Sequence, residues 1–222
     1  VVKAGIVAVW LIGLIYSATY LKSQIDGLET SFAHYLMEVM PRELLACFLI
    51  LLCVGYARYS DFEVIRKGAK AELGTNVRWF AIISVVTSIV FSIEFLFIEV
   101  TAMHELLSTH LLYLTVLLWL QIFMGFVAIG LLQVLLVNLG ISWAHSLPVI
   151  FSFYMLAFWM FWGVLPDSWI AHIYYFSYPT TLTFSKVVVT KILPFIGYVV
   201  VMGAANYWAF SRKDRLGGPV RA

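Results

Sequence analysis

The stretch "WFAIISVVTSIVFSIEFLFIEV", Trp79 to Val100, holds two acidic residues and no basic one in 22 positions. As a helix rising about 1.5 Å per residue it extends about 33 Å, enough to cross a hydrocarbon core about 30 Å thick. A strand of a porin-like barrel would be about 10 residues long and would alternate apolar and polar positions. This run is continuous, so the stretch reads as a transmembrane helix.

The flanking sequence repeats the pattern. The chain has 222 residues, a mean hydropathy of +0.95 and 12% charged residues. Soluble domains carry about 25% charged residues. By the same length rule, five more segments read as spans: Ala4 to Leu21, Leu44 to Tyr59, Leu111 to Asn138, Leu147 to Leu165 and Ile192 to Phe210. The second is short and is expected to begin earlier, with Pro41 near its outer end, where a missing amide is tolerated. The expected fold is an all-α integral membrane protein, residues 1–222 forming a single domain of six transmembrane helices. The chain opens on Val1 with no cleavable signal peptide evident, consistent with an initial segment preceding it.

Basic residues accumulate in short cytoplasmic loops. With both termini cytoplasmic, Lys3, Arg58, Arg66, Lys67, Lys70, Arg78, Arg212, Lys213, Arg215 and Arg221 lie inside, against Lys22, Arg42, Lys186 and Lys191 outside. The majority favours this orientation. The net charge of +2 is thus a membrane signal and gives no reason to expect a nucleic-acid partner. The last outer loop, about 166–191, reads "PDSWIAHIYYFSYPTTLTFSKVVVTK". Rich in rings and poor in charge, it suits either an aromatic belt at the interface or an outer lid.

The connector "YSDFEVIRKGAKAELGTNVRW", Tyr59 to Trp79, is the charged exception. Ser60 and Glu63 have the spacing of a capping box, Tyr59 and Val64 that of a hydrophobic staple, and Gly74 suits the residue after a last turn. Thr75 or Asn76 is then expected to cap the third span. Phe62, Ile65, Ala69 and Leu73 recur at helical spacing, and Glu63 precedes Lys67 by four residues. A short amphipathic helix over about 60–74 is expected at the cytoplasmic surface. Two readings fit it: a basic interfacial helix touching lipid phosphates, or a docking helix that passes force from a cytoplasmic partner. The other inner loop, "NLGISWAHS", is short and nearly uncharged.

The third span also has a polar side. At about 100° per residue, Ser84, Thr87, Ser88, Ser92, Glu94 and Glu99 fall within an arc of about 160°. Glu94 lies about 24 Å beyond Arg78 by helical rise. A carboxylate at that depth is costly unless neutral, paired or facing water, and marks a functional candidate. Ser84, Thr87, Ser88, Ser92 and Glu94, with Gln121 of the fourth span, are candidates to line a substrate path. Hydroxyls at this spacing also serve as glue between helices, and both readings stand. Gln133 is a weaker candidate. Gly5, Gly13 and Ser17 share one side of the first span and suit close helix packing. The rings of "FSFYMLAFWMFW" suit lipid contact and packing, or a path for an amphipathic substrate.

Catalytic patterns are absent from the sequence. "HELLSTH" has Ser108 where the zinc-protease HExxH pattern needs a second His. There is no GxSxG elbow and no aspartate cluster suited to magnesium and a diphosphate. Cys47 and Cys53, six apart within the second span, read as packing residues. No GxxxxGK[ST] phosphate loop occurs, so this sequence lacks that ATP-hydrolysing machinery and is not expected to be an enzyme.

The order of these features resembles the membrane subunit of type-2 ABC exporters, the ABC-2 permease family. The resemblance covers nearly the whole chain through degenerate motifs. Tyr59, Asp61, Glu63, Ile65, Arg78 and Phe80 lie on the family's first inner-loop pattern, and Phe210, Arg212, Lys213, Asp214 and Leu216 on the run-out of its last span. The family's usual Gly-Thr in that loop is out of place, and its amphipathic segment before the first span is missing or trimmed. The resemblance implies a multi-pass protein of a bacterial or archaeal inner or plasma membrane. It implies a permease paired with a second copy or a homologous permease and bound to two copies of a cytoplasmic ABC ATPase, with Ser60, Asp61, Phe62, Glu63, Arg66, Lys67 and Lys70 in the coupling helix. No cofactor is expected on this chain; ATP and Mg would sit on the partner. The implied activity is export of an amphipathic or hydrophobic peptide, lipid or drug. Alternatives from other classes are a non-transporting membrane assembly or immunity factor and a secondary carrier, although no inverted repeat or Gly/Pro-broken helix is evident.

Overall fold

The computed structural model describes residues 2–22, 27–57, 69–163 and 188–212. Every regular element among them is helical, with no strand. In order they are α1 (Val2–Lys22), α2 (Leu28–His34), a π-helical segment (Tyr35–Leu44), α3 (Leu45–Gly55), α4 (Ala69–Thr101), α5 (Thr109–Asn138), α6 (Trp143–Gly163), a second π-helical segment (Val188–Ile192) and α7 (Leu193–Ser211). Among the described residues, three helices are long and apolar enough to cross a membrane: Ala71–Thr101, Thr109–Asn138 and Val188–Ser211.

Two expectations require correction. The second span, read from Leu44 with an earlier start near Pro41, has its helix begin well before either: α2, the π-helical segment and α3 follow without a break from Leu28 to Gly55. Pro41 and nearby charged residues interrupt the hydropathy there and mimic a loop. The backbone absorbs the proline by widening its turn, as in the bond from the Leu45 amide to the Met40 carbonyl, five residues back. Phe32, Tyr35, Leu36, Val39 and Met40 are buried in the main core, which holds this segment in place. The second correction concerns Gly74. It does not end a helix: α4 starts by Ala69 and runs through Gly74 to Thr101. Neither Thr75 nor Asn76 caps the span; the Thr75 hydroxyl donates to the Ala71 carbonyl at 2.9 Å. Ser60 to Gly68 and the outer loop up to Lys186 lie outside the described residues.

Packing is set by rings against small residues. Phe48 and Phe126 stack with centroids 4.4 Å apart. A Cβ added at Gly130 would meet Phe80 and Phe48, so this glycine is what allows α5 to approach its neighbours. Gly13 of α1 plays the part expected of it, since its added Cβ would lie 3.0 Å from the Cys47 sulfur and 3.1 Å from Phe91. Gly55 faces the Trp79 indole, whose N–H donates to the Leu52 carbonyl at 3.3 Å. Helix α5 lies at the centre of the bundle, packing on α4 along one side and on α7 along another. By contrast α7 has few buried residues, namely Asn206, Ala209 and Phe210. Its remaining apolar residues, including Ile196, Val200, Val201 and Tyr207, are exposed.

Candidate functional site

The polar arc of α4 turns inward. Ser84, Thr87, Ser88, Ser92, Glu94 and Glu99 are all buried, while Ile82, Val86, Ile89 and Ile93 on the other side are exposed. Hydropathy drives this arrangement, because the hydroxyls and carboxyls find partners only among neighbouring helices or along their own backbone. The Trp10 indole N–H of α1 donates to Thr87 Oγ1 at 3.3 Å. Ser88 and Ser92 donate back to the carbonyls of Val85 and Ser88, at 2.9 and 2.8 Å. The Tyr35 hydroxyl lies 3.1 Å from Glu94 Oε2 and 3.2 Å from the Phe91 carbonyl. One phenol from the π-helical segment thus binds both the carboxyl and the backbone of α4. Ser84 Oγ and both amide atoms of Gln121 are buried without a hydrogen-bond partner among the described residues. Gln133, whose Nε2 donates to Ser146 Oγ at 2.6 Å, joins α5 to α6.

A second polar assembly lies at the end of the bundle bearing Arg78 and Arg212. The Asn76 amide grips the Ala57 peptide on both sides: Ala57 N–H donates to Oδ1 at 2.8 Å, and Nδ2 donates to the Ala57 carbonyl at 3.0 Å. Next to it, the Tyr56 hydroxyl donates to Asn138 Oδ1 at 3.3 Å, and Asn138 Nδ2 donates to Asn206 Oδ1 at 3.1 Å. Asn206 Nδ2 donates to the carbonyls of Leu131 and Met202 at 3.0 and 2.9 Å. The chain of bonds runs from the residues after α3 through α5 to α7. It borders a groove of about 370 Å³ lined by Leu73, Phe80, Leu131, Val134, Val199 and Gly203 together with the three asparagines. Because the amides are engaged with one another and with backbone, they leave the groove wall apolar.

Of the coupling residues, Ser60, Asp61, Phe62, Glu63, Arg66 and Lys67 lie outside the described residues, and Lys70 falls in the first turn of α4. The chain enters that connector directly after Ala57, the residue held by Asn76. Sequence reasoning overlooked Tyr56, Asn138 and Asn206 as site residues. A signal was present in Asn206, an amide within the apolar run "VVVMGAANYWAF", which is costly in a membrane unless bonded. His104 and His110, the two histidines of "HELLSTH", are exposed, with His110 Nε2 3.8 Å from Glu29 Oε1. Among the described residues there is no group of three or more His, Cys, Asp or Glu side chains suited to a metal ion.

In comparisons with known proteins, no family model, curated protein or solved structure matches the chain.

Proposed function

We propose that this chain is the membrane-spanning subunit of an ATP-driven exporter of the ABC-2 permease type. In this reading it has six transmembrane helices and cytoplasmic termini. Two copies of a separate ABC ATPase drive it, and it works with a second copy or a homologous permease. The substrate is an amphipathic or hydrophobic peptide, lipid or drug. The observation that carries the reading is the anchoring of the charged connector: Asn76 holds Ala57 at its root, and Tyr56, Asn138 and Asn206 continue those bonds into α5 and α7. A push on the connector from a cytoplasmic partner would therefore reach three helices through short polar links. Ser84, Thr87, Ser88, Ser92, Glu94 and Gln121 remain the candidates for the substrate path in this reading, and all are buried within the single chain.

The same inward placement favours a second reading. An arc bonded to Trp10, Tyr35 and its own backbone suits a non-transporting membrane factor whose polar residues lock its helices together. Purification of the full chain with the ATPase encoded beside it separates the two. The exporter reading expects a stable complex whose ATP turnover differs from that of the ATPase alone. Failure of the two proteins to associate would favour the second.

A further inference from the structure

Glu99 is the buried acid of the polar arc that the proposed path leaves unused. It lies two residues before the end of α4, fully buried, and neither carboxyl oxygen accepts a hydrogen bond. Among the described residues it makes no ion pair. Glu94 on the same helix differs, with the Tyr35 hydroxyl 3.1 Å away. A dry, unpaired and unbonded carboxylate is costly inside a membrane, and such a group takes up a cation or a proton instead. A metal ion needs several ligands, and the described residues offer no group of three acidic, His or Cys side chains. A proton asks for neither room nor further ligands.

The surroundings select the same occupant. Ser31 of α2, also fully buried, stands beside the carboxyl. Its hydroxyl donates to the Gly27 carbonyl at 3.3 Å, so what it turns to Glu99 is a lone pair. A lone pair accepts from an acid O–H and offers nothing to a carboxylate. Glu105, whose amide donates to the Glu99 carbonyl at 3.0 Å, brings a like charge close by, which opposes a second one. The other titratable groups at this end, by position, are Lys22 closing α1, Glu29 and His34 of α2, Tyr35, and His110 and Tyr113 of α5. Glu29 and His110 are exposed and lie 3.8 Å from each other.

We propose that Glu99 binds one proton, and that this proton latches α2 to α4 at the end of the bundle where α4 turns into α5. The carboxylic O–H faces the Ser31 oxygen, and its release places a bare charge there and undoes the contact. An unfolded glutamate is ionised at neutral pH. The folded chain therefore holds one proton more, and its stability falls as pH rises, until the folded carboxyl ionises too. The latch does not depend on the exporter reading, since it needs only the described helices.

The test uses the full chain in detergent. The infrared difference between wild type and Glu99→Gln at neutral pH is expected to be a protonated-carboxyl C=O band; a carboxylate band in its place would overturn the proposal. Ser31→Ala is expected to keep that band but shift it, and an unmoved band would overturn the contact with Ser31. The amide of Glu99→Gln still offers Ser31 an N–H and has no proton to release. Relative to that variant, the wild-type unfolding constant in mixed micelles is expected to rise by up to about tenfold per pH unit near neutrality. Hydrogen exchange in α2, corrected for its intrinsic rate, is expected to quicken with pH in the wild type alone. The same pH dependence in both proteins, or none in the wild type, would overturn the latch.

Discussion

Asn206→Leu is expected to loosen α7 from the bundle. Helix α7 buries little apolar surface, and its described polar links to α5 are the Tyr198 hydroxyl, which donates to the Ala128 carbonyl at 2.8 Å, and the Asn206 amide. Leucine keeps the branched heavy-atom skeleton of asparagine and agrees with the bilayer, so the change removes the bonds at the cost of some added volume. Two bonds to α5 disappear, one to Asn138 and one to the Leu131 carbonyl. Such bonds between membrane helices average about 0.6 kcal/mol each. The Asn138 amide, only 4% exposed, also loses its acceptor, and an unsatisfied buried donor costs about 1–3 kcal/mol. The expected destabilisation is roughly 2–4 kcal/mol. Reversible unfolding in mixed micelles measures it, and proteolysis near Ser211 tests whether α7 is the part that loosens. A loss below about 0.5 kcal/mol, the size of an ordinary surface substitution, would refute the reasoning.

Three further outcomes follow from particular contacts. Gly130→Leu drives a side chain into Phe80 and Phe48 and is expected to cost about 1–3 kcal/mol through overpacking, read as a lowered midpoint in the same unfolding assay. Glu94→Gln keeps an acceptor for the Tyr35 hydroxyl, so assembly and stability should hold to within about 1 kcal/mol; a transport rate equal to wild type in proteoliposomes would remove any role for the charge. Cysteines at Gly74 and Leu106, both exposed and at opposite ends of α4 and its following turn, should react with an impermeant maleimide from opposite sides of the membrane. Labelling of both from one side would contradict α4 as a span.

The long apolar helices were legible because their hydropathy is uninterrupted and a bilayer demands length above all. Trp79 to Val100 and Leu111 to Asn138 fall within α4 and α5. Around Pro41 the rule fell short, since a π-helical turn carries the helix well past a proline expected near its outer end. Gly74 misled for a related reason: glycine permits a left-handed stop but does not require one, and packing beyond it kept the helix going. The inward direction of the polar arc on α4 followed from periodicity, but its partners did not. Trp10 and Tyr35 come from 77 and 59 residues away in sequence, and no local pattern pairs them with Thr87 and Glu94. The asparagine network was hidden in the same way, each amide lying alone in its own segment.

The proposed transport function stands on the connector. With the full chain reconstituted with the ABC ATPase that the proposal calls for, Phe62, Glu63 and Arg66 are replaced together by alanine and ATP turnover is compared with wild type. The expected result is a complex with weakened association or turnover lowered severalfold, because the docking face is gone. Unchanged association together with unchanged turnover would contradict the coupling role of the connector and, with it, the exporter reading.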